Sequence, residues 1–80
     1  MPDERTDMIG KALRVLGVLG EHPEGIAMAP LAREAGYPLS TVHRLLTSLS
    51  REEFAEFDEH TKRWALGLRA FQLGQARARR

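Results

Sequence analysis

Residues 36 to 49, Gly36-Tyr37-Pro38-Leu39-Ser40-Thr41-Val42-His43-Arg44-Leu45-Leu46-Thr47-Ser48-Leu49, restrict what this chain can become more than any other stretch. Glycine and proline two positions apart mark a turn, and the residues after them repeat with a helical period. At about 100° per residue, Val42, Leu45, Leu46 and Leu49 share one side of that helix. Ser40, Arg44, Thr47 and Arg51 lie opposite, with His43 at the edge. One face must therefore pack and the other is free to read something. Short polar side chains on the free face let a helix backbone come close to base edges in the major groove, where bulky residues would hold it away. The stretch reads as the second half of a helix-turn-helix.

Eighty residues make one small domain with an economical core and no room for an enzyme cleft of the usual size. The formal net charge of +1 excludes a histone-like polycation. Three of the twelve basic residues, Arg77, Arg79 and Arg80, stand in the last four positions, which leaves nine against eleven acidic ones in the body. Any nucleic-acid surface must arise from the arrangement of charge and not from its excess. With no cysteine, disulfides, thiolate metal sites and cysteine nucleophiles are excluded. Met1-Pro2-Asp3-Glu4-Arg5-Thr6-Asp7 contains no apolar run of the kind a signal peptide or membrane span needs, so a soluble cytoplasmic protein is expected.

Read in order, residues 1 to 6 are expected to be disordered, with Thr6 or Asp7 capping a first helix that runs to about Glu21. Ile9, Ala12, Leu13, Leu16 and Leu19 form its expected buried stripe, widened by Met8, Val15 and Val18. So broad an apolar arc allows part of it to meet a second protomer. His22 to Gly25 is a turn, and Gly25-Ile26-Ala27 is a short extended segment that needs a later strand to pair with. A short second helix follows, with Pro30 in its first turn, Leu31, Ala32 and Ala35 facing inward and Gly36 as a left-handed stop. After Glu53 the period changes from helical to alternating. Residues 54–58 and 62–66 predict a hairpin offering Phe54 or Phe57, Trp64 and Leu66 to the core. Gly67 opens a last helix, and Gly74 is expected to interrupt it. The fold class is mostly α with a small β-hairpin (α+β).

With these segments in place, the chain from Ile9 to about Gly74 resembles the N-terminal DNA-binding domain of the IclR family of bacterial transcription regulators. The resemblance is carried by Lys11-Ala12-Leu13-Arg14-Val15-Leu16, by Gly36 to Leu46, and by Thr61-Lys62-Arg63-Trp64-Ala65-Leu66-Gly67 with Leu73-Gly74. It implies a winged helix-turn-helix over residues 7–67, with a three-helix core and a wing. Residues 68–80 would then be a linker helix leading to an effector-binding domain that lies outside these 80 residues. It further implies a homodimer on a palindromic double-stranded operator, and a small-molecule effector acting only through that further domain. Three positions depart from the family pattern: Leu39 where lysine is frequent, Glu53 where glycine usually ends the recognition helix, so that either Glu53 is left-handed or the helix runs on through it, and Trp64 in place of tyrosine.

The recognition helix is expected over about 38–52. Ser40, Thr41, His43 and Arg44 would approach bases and phosphates, with Thr47 and Ser48 further along. Arg44 is the candidate for two hydrogen bonds to a guanine, although a salt bridge on a solvated face is the plainer alternative. Thr41 serves equally well as a helix-start residue. His60, Lys62 and Arg63 at the hairpin tip would meet phosphates or the minor groove, against repulsion from Glu56, Asp58 and Glu59; Asp58 and Glu59 are expected to face Lys62 and Arg63 in part. The Arg77–Arg80 tail suits a solubilising linker end better than a DNA contact. His22, His43 and His60 sit in a loop, on a polar helix face and at a hairpin tip, without the spacing of a metal site. No metal, cofactor or catalytic set is implied. The reading from a different class is a winged-helix module used for protein–protein association without DNA binding.

Overall fold

The computed structural model describes residues 4 to 78, so the first three residues of the expected N-terminal tail and Arg79 and Arg80 of the basic end lie outside the described residues. Six elements follow one another: α1 (Glu4–Gly20), α2 (Met28–Ala35), α3 (Leu39–Arg51), β1 (Ala55–Asp58), β2 (Arg63–Leu66) and α4 (Leu68–Ala78). α1 starts at Glu4, ahead of the expected cap at Thr6 or Asp7, so residues 4 to 6 are helical and not part of a disordered tail. α4 runs unbroken through Gly74, contrary to the expected interruption. An exposed glycine costs a helix only about 1 kcal/mol, which weakens the element without breaking it.

α1, α2 and α3 pack against one another, and the hairpin closes the remaining side, β2 against α1 and β1 against α3. The core consists of Val15, Leu19, Ile26, Leu31, Ala32, Ala35, Val42, Leu45, Leu46 and Ala55. Leu31, Ala32 and Ala35 face inward as α2's sequence required. α1 is rotated from the expected stripe. Val15 and Leu19 are fully buried, whereas Ile9 and Leu13 are 67% and 61% exposed. Two overlapping apolar stripes run along this helix, and the domain is large enough to cover only one of them.

β1 and β2 pair antiparallel, with Phe57 opposite Trp64 and Ala55 opposite Leu66. The rings of Phe57 and Trp64 lie 5.0 Å apart at 47°, a tilted contact of the kind that adds to plain burial. Trp64 leans on the core, while Phe57 and Leu66 stay largely exposed and Ala55 takes the buried place. The extended segment after α1 finds its strand partner: Ile26 N–H donates to Trp64 O (2.9 Å) and Trp64 N–H to Ile26 O (2.8 Å). It amounts to a third strand one residue long.

Both helix stops around α3 are left-handed. Gly36 closes α2 at φ 83°, its N–H donating to Ala32 O. α3 ends at Arg51, and Glu53 then takes φ 64°. Phe54 N–H reaches back to Leu49 O (2.8 Å) and Glu53 N–H to Ser50 O (3.0 Å), the two bonds of a Schellman stop that ordinarily uses glycine. A side chain in this conformation costs about 1–2 kcal/mol, and glycine gives back about 0.5–1 kcal/mol of that in unfolded-chain entropy. Glu53→Gly is therefore expected to raise the thermal midpoint by about 2–8 °C in a calorimetric scan. An unchanged or lower midpoint would mean that the glutamate side chain makes a compensating contact.

Candidate nucleic-acid interface

α3 is fixed from behind by Val42 (0% exposed), Leu46 (0%) and Leu45 (5%). Its outward face is thereby set: Ser40, His43, Arg44, Ser48 and Arg51 are exposed, and Thr41 and Thr47 are half-buried at its margins. Thr47 Oγ1 donates to His43 O at 2.9 Å. Its proton is thus committed one turn back along the helix, leaving the oxygen as an acceptor only. His43, Arg44, Thr47, Ser48 and Arg51 line one shallow depression together with Leu45 and with Met8 of α1. The structure thus unites four of the six expected α3 residues and adds Arg51 and Met8. Arg51 was visible in the sequence as a member of the polar helical face. Met8 was not, because it belongs to the apolar stripe of α1 that folding leaves uncovered.

The helix start has no side-chain cap. Its N-cap is Pro38, which offers no side-chain acceptor, and Val42 N–H supplies the first backbone bond, to Pro38 O at 3.0 Å. The N–H groups of Leu39, Ser40 and Thr41 precede that first bond and so face outward from the helix end. Behind the turn, Lys11 of α1 sits over the Tyr37 ring, 5.5 Å from its centre, a cation–π contact that ties α1 to the helix-turn-helix. On the far side of α2, His22 Nε2 donates to Glu34 Oε1 at 3.0 Å.

Lys62 and Arg63 do not line this depression. Arg63 lines a different depression, shared with Glu24, Glu56, Asp58 and Glu59, and Lys62 occupies the left-handed turn position with φ 60°. Asp58 does not pair with either base: its Oδ1 accepts the N–H of His60 (2.8 Å) and of Thr61 (3.3 Å), folding the turn. Asp58 does stand opposite Arg63 in the strand register, as expected for that pair, but its carboxylate is engaged in an Asx-type turn and forms no ion pair among the described residues. Among the described residues no group of three histidines or acids is placed to hold a metal ion, and no helix is long and apolar enough to cross a membrane.

A helix seated on a three-helix core with its polar face outward, followed by a two-stranded wing, is the arrangement that the comparison with known proteins matches. Residues 9–59 match the IclR helix-turn-helix domain. The chain belongs to the IclR helix-turn-helix family. It is 35% identical over 66 residues to the transcriptional repressor IclR of Escherichia coli, which covers 82% of this chain and 24% of that protein. The crystal structure of an IclR transcriptional regulator from Alicyclobacillus acidocaldarius superimposes with a TM-score of 0.79 at 33% identity, over 90% of this chain and 29% of the other. That of Pseudomonas aeruginosa HmgR gives 0.77 at 34% identity, over 81% and 27%. The chain spans about a quarter of the length of the curated relatives it matches. The repressor of Escherichia coli and the regulator of Alicyclobacillus acidocaldarius act in transcription by name, and the IclR winged helix-turn-helix is the part of them that this chain shares.

Proposed function

We propose that this IclR-family chain binds double-stranded DNA in a sequence-specific manner to regulate transcription, with the N-terminal half of α3 in the major groove. The observation that carries this reading is the outward face of α3, where Ser40, His43, Arg44, Ser48 and Arg51 are exposed on a helix whose other face is locked into the core. Arg44 reads a guanine edge; Ser40, Thr41, His43, Thr47 and Ser48 contact bases and phosphates around it. Lys62 and Arg63 contribute at most phosphate contacts, because the acids beside Arg63 oppose a larger role.

The chain acts as a homodimer on a two-fold symmetric operator. α1 leaves Met8, Ile9 and Leu13 exposed, and α4 leaves Leu68, Phe71 and Leu73 exposed, with Ala70 alone half-buried among residues 68–77. An eleven-residue helix with so little tertiary packing is marginal in water, and a second copy would cover both apolar faces. A small-molecule effector would be bound by sequence outside these residues and act on α3 through α4, in the cytoplasm where the operator is.

In vitro selection from random duplexes should return a two-fold symmetric motif whose affinity falls as salt rises, since each phosphate contact releases condensed counterions. Sedimentation should show concentration-dependent association. No bound duplex at low salt, together with a stable complex with another protein, would replace this reading by one of protein association alone.

A further inference from the structure

Leu39 is the first residue of α3 and is 49% exposed. Every other large apolar side chain of α2 and α3 is buried or half-buried; the remaining exposed ones belong to α1, the hairpin and α4. Leu39 therefore carries the apolar stripe of Val42 and Leu46 past the edge of the core to the exposed end of the helix, next to exposed Ser40 in the chain and one helical turn before exposed His43 at the margin of the polar face. Pro38 before it holds the backbone extended, with φ −61° and ψ 150°, so Leu39 is presented at the very end of the helix that the proposed reading inserts into DNA.

A leucine has no hydrogen bond to give or accept. In the major groove its one complementary feature is the 5-methyl group of thymine, the only apolar patch a base pair displays there. We infer that Leu39 is a specificity-determining residue that selects thymine at one position of each half-site by burying that methyl group. The inference rests on the DNA-binding reading above and adds to it an apolar contact beside the hydrogen bonds of Arg44. It gives the site a preference that its polar residues alone would lack, since Ser40, His43 and Arg44 read donors and acceptors and are indifferent to the methyl.

The test uses the duplex obtained by in vitro selection with this chain and a set of copies in which each thymine in turn is replaced by deoxyuridine, which removes the methyl and leaves every hydrogen-bonding group in place. Fluorescence anisotropy should show a roughly fourfold loss of affinity at one thymine of each half-site, the effect of exposing one methyl group to water. With Leu39→Ala, whose fold is checked by circular dichroism, the loss at that position should vanish, and losses elsewhere should stay as they were. The two changes would then be coupled in the sense of a double-mutant cycle. Three results would overturn the inference while leaving DNA binding intact: a selected site with no thymine in its half-sites, no sensitivity to any deoxyuridine, or a sensitivity that survives Leu39→Ala. A selection that yields no duplex would overturn the DNA-binding reading itself.

Discussion

Gly67→Ala is expected to lower the thermal midpoint by roughly 10–20 °C, from an overpacking cost of about 2–3 kcal/mol in a domain of this size. A Cβ built on Gly67 lies 2.8 Å from the carbonyl carbon of Glu53, closer still to its oxygen, and 3.0 Å from Ala55 N. All three are backbone atoms, so no side chain can swing away to make room. The backbone itself is pinned there: Gly67 N–H donates to Phe54 O and Arg69 N–H to Glu53 O, both at 2.9 Å. The requirement for glycine at 67 is thus one of space. It differs from that at Gly36, which has open space around it and a left-handed backbone. Circular dichroism melts of the two proteins decide the matter, and a midpoint within about 2 °C of the parent would show that the α3–α4 joint opens easily.

Arg44→Ala is expected to weaken binding to a selected operator by about 5- to 150-fold, the discrimination that a bidentate arginine–guanine pair provides. Binding to random duplex should fall several times less, by the loss of charge alone. The residue is exposed and lies opposite the buried face of α3, so the fold is not at stake. Parallel anisotropy titrations on the two duplexes give the comparison directly. Equal losses on both would reduce Arg44 to a phosphate contact and move base reading to other residues of the helix.

The helix-turn-helix was legible because its constraints are local. Gly36, Pro38 and the 3.6-residue repeat of Val42, Leu45, Leu46 and Leu49 specify the turn, the helix and its buried face without help from the rest of the chain. The hairpin was legible from its change of period, although its core contact fell to Ala55 and in part to Trp64, while Phe57, two residues beyond Ala55 on the same face, lies past the edge of the core and stays 40% exposed. α1 was not legible in rotation. Apolar residues at 8, 9, 12, 13, 15, 16, 18 and 19 fit two stripes about equally well, and the choice between them is made by α2, α3 and β2 together. Nor did the spacing of Gly67 from Glu53 carry any sign of their contact, since it depends on how tightly the Schellman stop folds back. Glu53 could be read as either a continuing helix or a left-handed stop. Burial of Ala55 and closure onto Gly67 decide for the stop, because a longer α3 would carry the hairpin away from the core.

The face of α3 was legible in composition but not in membership. Arg51 joins Arg44 in one depression while Lys62 and Arg63 do not, and sequence order gives no measure of that separation. Acidic neighbours in the hairpin gave the only forewarning.

Recognition of a DNA sequence by this face is measured by the ratio of dissociation constants for the selected duplex and a shuffled duplex of the same composition at physiological salt. A ratio of about a thousand or more is predicted, as for specific regulators generally. Equal affinity for the two duplexes would contradict it.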